Sequence, residues 1–251
     1  MITTQIPVPP RWKAGGNHIL NAIPRSEYEA LLPSLKPAPL ILGQVLYEYG
    51  AEIVDCYFVS NALISCLQVM QNGDTVEVGI FGAEGFAGHS TILGVNHSSA
   101  LVNVQIPGDA FKIDTGVLRH LRPRLPALER LLLRFGYVQA LQCQQIAACN
   151  GLHEIDQRLA RWILMTQDRV HTDTLPLTHD LLAGMLGSRR ASVTVAAGAL
   201  QKAGAIEYRR GKLHILQRDK LEEAACECYV RIRSQLQSFV QSFDTYRPYL
   251  F

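Results

Sequence analysis

The stretch from Leu177 to Leu216, LTHDLLAGMLGSRRASVTVAAGALQKAGAIEYRRGKLHIL, decides how this chain is read. Thr178 stands before a periodic apolar run and Asp180 falls in the first turn. That is a helix start, with a hydroxyl for the free N–H groups and a carboxylate that suits the dipole. Leu181, Leu182, Met185 and Leu186 give the short helix one apolar face. Gly187 is placed to close it in the left-handed conformation of a tight turn. Ser188 is then placed to cap a second helix, with apolar positions Val193, Ala196, Ala197 and Leu200 at helical spacing. Gly204 stops that helix, and IEYRR and GKLHI read as two short strands around the basic turn Arg209, Arg210, Gly211 and Lys212.

Helix, glycine turn, helix and β-ribbon make a winged helix-turn-helix. Such a unit lays its second helix in the major groove and its wing along the backbone of double-stranded DNA. The charge distribution agrees. Gly187 to His214 holds six Lys or Arg against one acid, whereas the whole chain is only +2. A basic patch on an otherwise mildly acidic protein is the electrostatic footprint of phosphate binding. A helical hairpin with a solvated basic face is the plainer alternative.

At 251 residues the chain is long enough for two domains with separate cores. Charged residues at 18% and hydrophobic ones at 48% fit a globular protein rather than a disordered one. No apolar run approaches the roughly 18–20 residues of a membrane span. Residues 1–16 read as a flexible leader without an apolar signal core, which points to a cytoplasmic protein. The six cysteines (56, 66, 143, 149, 226 and 228) lack the paired spacing of a zinc site and the density of a secreted scaffold. They read as reduced thiols, with no metal and no cofactor expected.

Residues 17–32 suggest two short helices, the second capped by Ser26 with Glu29 at the capping-box position. From Leu40 to about Ile113, short apolar runs alternate with turns, among them the hairpin signal Asn72-Gly73-Asp74. This texture indicates an antiparallel β-roll or barrel. A long helix follows, from about Leu125 to Cys149, ended by Asn150-Gly151. Its apolar positions Leu128, Leu131, Phe135 and Val138 suit either a two-helix seam or burial against the β-domain. A helix from near His153 leads into the DNA-binding unit, and a final helix from Lys220 to about Phe243 closes the chain.

The order β-roll, long helix, winged helix-turn-helix, together with GSRRASVTVAAGALQKAGAI and VLYEYGAEIVDCYFVSNALIS, resembles the Crp/Fnr family of bacterial transcription regulators over roughly residues 20–230. The resemblance implies an α+β protein with four parts. Residues 1–16 would be the leader, and 17–124 a cyclic-nucleotide-binding-like sensor built as a cupin-like double-stranded β-helix. Residues 125–150 would be a dimerisation helix, and 151–251 the winged helix-turn-helix domain. It implies a homodimer on palindromic DNA, not an enzyme, and an unidentified small-molecule effector as a further partner. Arg190 matches the family's guanine-contacting arginine, a pairing that guanidinium geometry favours. The usual acidic neighbour is Ala191 and a later arginine position is Val195, so Arg189, Ser192 and Thr194 are further candidates. Thr178 and His179 fall where the family contacts phosphate, and Ser188, Arg209, Arg210 and Lys212 complete the expected DNA-binding set.

The expected ligand pocket is degenerate. Members that bind cyclic AMP place a glutamate on the ribose and an arginine on the phosphate. The corresponding segments here are Gly85-Phe86-Ala87 and Ser98-Ser99-Ala100, so the two anchors become Phe86 and Ser98. A buried charge-assisted phosphate contact is worth several kcal/mol, and cyclic AMP is not the expected ligand. The leader also lacks the cysteine cluster of the iron–sulfur members. Cys226 and Cys228, two positions apart on one helix, would point about 200° apart and could share a ligand only if the helix were broken. Cys143 and Cys149 are poor partners within one chain, leaving a cross-subunit bridge open if they lie on a seam. His89 and His97 read as surface-loop residues. Three functions compete: a DNA-binding regulator, a sensor whose ligand gates DNA binding, and an enzyme using the pocket or thiols, for which no catalytic constellation is present.

Overall fold

The computed structural model describes residues 16–209 and 211–245. The expected leader, apart from Gly16, and Arg210 on the wing lie outside the described residues. Two short helices, α1 (His18–Ala22) and α2 (Arg25–Leu31), open the fold. The Asn17 side chain accepts from Leu20 N to cap α1, and its amide donates to the carbonyls of Val59 and Gly85. Helix α2 starts behind Pro24 rather than Ser26, which lies within its first turn. Glu29 pairs with Arg25 at 2.7 Å instead of closing a capping box.

Eight strands follow: β1 (Lys36–Leu40), β2 (Val45–Tyr47), β3 (Asp55–Val59), β4 (Leu63–Val69), β5 (Thr75–Phe81), β6 (Phe86–Ala87), β7 (Leu101–Ile106) and β8 (Gly108–Asp114). They form two four-stranded antiparallel sheets, β1-β8-β3-β6 and β2-β7-β4-β5. The expected β-roll is there, extended at its start by β1. Pro37 and Pro39 are tolerated because β1 is an edge strand.

After α3 (Thr115–Leu121), the long helix α4 runs from Pro126 to Leu152, through the expected stop at Asn150-Gly151. Its N-terminus is capped from α2: the two Glu27 carboxylate oxygens accept from Ala127 N and Leu128 N, each at 2.9 Å. Phe135 is fully buried, with its ring centroid 5.6 Å from Phe81 and 6.2 Å from Phe239. The apolar face Leu128–Leu131–Phe135 is therefore spent on the chain's own core, and Phe135 does not lie on a seam between subunits.

The C-terminal part comprises α5 (Ile155–Val170), β9 (Thr174–Leu175), α6 (His179–Leu186), α7 (Arg190–Lys202), β10 (Ile206–Arg209), β11 (Lys212–Ile215), α8 (Arg218–Ala224) and α9 (Cys228–Thr245). The expected single final helix is thus two helices, broken where Ala225 takes an extended conformation (φ −77°, ψ 149°). Two apolar cores result. One joins α1, α2, the roll and α4 to Phe239 and Phe243 of α9; the other joins α5–α8 to Leu63, Leu67 and Ile80 of the roll.

Candidate nucleic-acid interface

Helix α6 begins as its sequence demands, with the Thr178 hydroxyl accepting from Leu181 N at 3.2 Å. It ends at Gly187 (φ 55°), where an added Cβ would also meet Val76 of the roll at 2.9 Å. Helix α7 departs from expectation. Arg189, not Ser188, is its N-cap residue, and no side chain caps it. Ser188 N is instead taken by the Ala183 carbonyl in the helix-ending turn. Val193, Ala196, Ala197 and Leu200 are buried as their spacing requires.

That burial fixes what α7 shows to solvent. Arg189, Arg190, Ala191, Thr194 and Val195 are exposed, Val195 to 74%. Arg190 Nε lies 3.3 Å from Asp180, a solvent-screened pair that leaves the guanidinium free to exchange partners. Thr194 Oγ1 donates to the Arg190 carbonyl and lies 3.0 Å from His179 Nδ1. The His179 ring stands edge-on to Tyr208 of the wing, with centroids 4.6 Å apart. His179 is therefore half-buried and ties α6 to α7 and β10, while Thr178 is exposed at the helix start. Arg209 and Lys212 are exposed on the wing, whose ribbon β10–β11 is extended by β9 into a three-stranded sheet.

Ser188, Arg189 and Ser192 share a cleft of about 940 Å³ with Met70, Gly73, Asp74, Thr75 and Val76 at the tip of the β4–β5 hairpin. Thr75 Oγ1 donates to the Gly184 carbonyl at 3.4 Å. The roll therefore touches the helix-turn-helix at its turn, and Ser188 and Ser192 are only half exposed.

A second cavity, about 340 Å³, lies between the roll and α4. Ala87, Ser98, Ser99 and Ala100 line it as expected, but Gly85 and Phe86 do not. Phe86 is fully buried against Phe58, at 4.7 Å between rings, and Gly85 is pressed against the Phe81 ring. Ser98 Oγ turns back to the Ala100 carbonyl. No Lys, Arg, Asp or Glu is among the described lining residues. His89 lines this cavity beside Phe135 rather than lying in a surface loop, and its burial lowers its pKa, whereas His97 is exposed.

Buried polar contacts connect roll, long helix and DNA-binding part. Arg169 of α5 pairs with Glu84 at 2.7 Å, both side chains about 5% exposed or less, and donates to Gln142 of α4 at 3.2 Å. Gln142 in turn donates to the Ile80 carbonyl. Glu77 accepts from Ser65 at 2.6 Å and from Trp162 of α5 at 2.8 Å. Sequence patterns point to none of these contacts. Isolated Glu, Gln and Arg residues in apolar surroundings are their only signal.

Residues 157–224 match the family of the Crp-like helix-turn-helix domain. No curated protein sequence matches the chain. Among solved structures the chain is similar to FixK2 from Bradyrhizobium japonicum, with TM-score 0.66, 12% identity, and 76% of this chain and 98% of that one covered. It is similar to a CRP-family transcriptional regulator from Thermus thermophilus, with TM-score 0.64, 18% identity, and 75% and 96% covered. It is also similar to the c-di-GMP-responsive global regulator CLP of Xanthomonas campestris, with TM-score 0.63, 15% identity, and 76% and 98% covered. No helix among the described residues is long and apolar enough to cross a membrane. The chain thus carries a Crp-like helix-turn-helix domain at residues 157–224 and shares the overall fold of these solved regulators.

Proposed function

We propose that two copies of this chain bind a palindromic DNA site, with α7 in the major groove and the β10–β11 wing on the phosphates. One observation carries the reading: a rigidly buried face on α7 forces Arg190 and Val195 outward next to the basic wing. Arg190 suits guanine O6 and N7, and Ala191 and Val195 suit a thymine methyl. Thr178 and the wing residues Arg209 and Lys212 supply phosphate contacts, with Arg210 added from its place in the sequence. Half-sites would lie about 34 Å apart. The partner copy would pack on the outer face of α4, where Leu133, Tyr137, Ala140, Gln144 and Ala147 are exposed at alternating four- and three-residue steps. In vitro selection from random duplexes with the full chain tests this. An inverted repeat with one guanine per half-site that depends on Arg190 is the expected outcome; recovery of no motif would sink it.

Gating by a ligand is the second reading, favoured by the cavity shared between the roll and α4. Its uncharged lining suits a small, largely apolar molecule of the size such cavities hold. A cyclic dinucleotide, with two phosphates, would meet no Lys or Arg among the described lining residues. Ligand uptake would shift α4 and, through Gln142 and Arg169, the DNA-binding part.

A further inference from the structure

Three short segments converge beside the junction of the long helix with the DNA-binding part. Cys149 sits in the last turn of α4, and His153 one helical turn later, in the link to α5. Cys226 lies in the break between α8 and α9, and Cys228 is the first residue of α9. The break removes the objection that two cysteines at i, i+2 diverge on a helix. The three Sγ atoms and a ring nitrogen of His153 all lie within 4.8 Å of one another. Cys149 Sγ is 3.4 Å from Cys226 Sγ, and Cys228 Sγ is 3.5 Å from His153 Nδ1.

These separations can be set against a metal. Bonds of about 2.3 Å to sulfur and 2.0–2.1 Å to nitrogen in a tetrahedron put ligand atoms roughly 3.6–3.8 Å apart. The Cys149–Cys226 and Cys228–His153 gaps are within a few tenths of an ångström of that, and the widest gap in the set, at most 4.8 Å, would close by about 1 Å on an ion. A disulfide would need Cys149 and Cys226 to close to about 2.05 Å, and would leave Cys228 and His153 without a role.

We propose that Cys149, His153, Cys226 and Cys228 form a closed, four-ligand site for Zn²⁺ that clamps the α4–α5 link to the α8–α9 break. Three thiolates and one imidazole are the donor set that a borderline-soft, tetrahedral ion prefers. The surroundings suit it as well. His153 Nε2 lies 3.3 Å from the Glu227 carboxylate, the outer partner that orients a ligating imidazole whose Nδ1 faces the metal. Gln145 Nε2 donates to Cys228 Sγ at 3.0 Å, as to a thiolate. Zn²⁺ with three thiolates carries net −1. Arg161, 2% exposed, has no ion pair and no partner for its Nε among the described residues, and is a buried cation available to offset that charge. The three sulfurs are buried in a cluster of their own, separate from both apolar cores.

The test uses the full chain, purified with reductant and without added metal. Elemental analysis should find one zinc per chain, and X-ray absorption should find three sulfurs at about 2.3 Å and one nitrogen at about 2.0 Å. Exchange for Co²⁺ should give the intense visible bands of a tetrahedral ion and a thiolate-to-cobalt charge-transfer band. Cys228→Ser should lose the zinc. Because that variant could also misfold, Glu227→Gln, on an exposed side chain, provides the second arm: it should keep the fold and lower zinc affinity about 10- to 100-fold in chelator competition. Fresh protein holding no zinc and giving no cobalt charge-transfer band would overturn the proposal. So would a Cys149–Cys226 disulfide, an iron–sulfur chromophore, or unchanged zinc affinity in Glu227→Gln.

Discussion

Arg190 and Lys212 differ in what they can contribute, although each is a single exposed cation. Arg190 projects from the first turn of α7, where a guanidinium reaches a base edge. Arg190→Ala should cost about 1–3 kcal/mol on the selected operator and relax selectivity at one base pair per half-site. Lys212→Ala should weaken operator and scrambled duplex alike. It should also make log K less steep against log salt, by about one for each phosphate left without its cation. A salt titration of both variants on both duplexes separates them; equal weakening on the two duplexes for Arg190→Ala would reduce its role to phosphate binding. Glu77 gives a residue-scale prediction of another kind. Burial holds its carboxyl up at about 7, against the lowering effect of its hydrogen bonds to Ser65 and Trp162. The folded chain therefore binds more protons than the unfolded one, and this contribution is full below about pH 4.5. It is lost as pH rises towards 7, on the order of 3 kcal/mol in total. Denaturation curves between these pH values should show the decline, and Glu77→Gln should flatten it. The Thr178 cap is legible in sequence because its role is local, whereas Ser26 and Ser188, read the same way, cap no helix. Nor is Phe86 legible: the family pattern assigns it to a ligand, whereas packing against Phe58 puts it in the core.

At the scale of elements, α4 shows how far periodicity carries. The spacing of Leu128, Leu131 and Phe135 identifies an apolar face correctly but not its partner, because a heptad pattern is the same against a sheet as against a second helix. The face left for another copy carries Leu133 and Tyr137, 44% and 66% exposed. It is weaker in sequence because alanine and glutamine interrupt it. If the dimer forms there, Tyr137→Asp should abolish it, since a charge in an apolar seam has no partner. Phe135→Asp should instead unfold the chain. Sedimentation of Tyr137→Asp at micromolar concentration decides; an intact dimer would place the contact elsewhere. The α8–α9 break is equally hidden. No Gly or Pro marks it, and only the C-x₃-H spacing of Cys149 and His153, beside C-x-C, hints that distant segments meet there.

At the scale of the molecule, the chain closes on itself. The residues matching the Crp-like domain end at 224, and α9 then leaves the core of α5–α8 and returns to the roll. Phe239 and Phe243 stack edge-to-face at 4.8 Å, and Phe239 packs on Phe135 of α4. Sequence alone places this segment with the DNA-binding part because it follows it in the chain, and chain order says nothing about which core a helix fills. The consequence is measurable. Phe239→Ala removes a 2% exposed ring from a close-packed core, a change that typically costs about 3–5 kcal/mol. Because that core belongs to the roll, the loss should fall far from the residue's place in sequence. Hydrogen exchange should accelerate at amides of β3, β8 and the first half of α4, while α6 and α7 keep their protection. Uniform acceleration across both parts would mean that Glu84–Arg169 and the hydrogen bonds around Glu77 bind the two cores into one cooperative unit, and that the roll cannot loosen without the helix-turn-helix part.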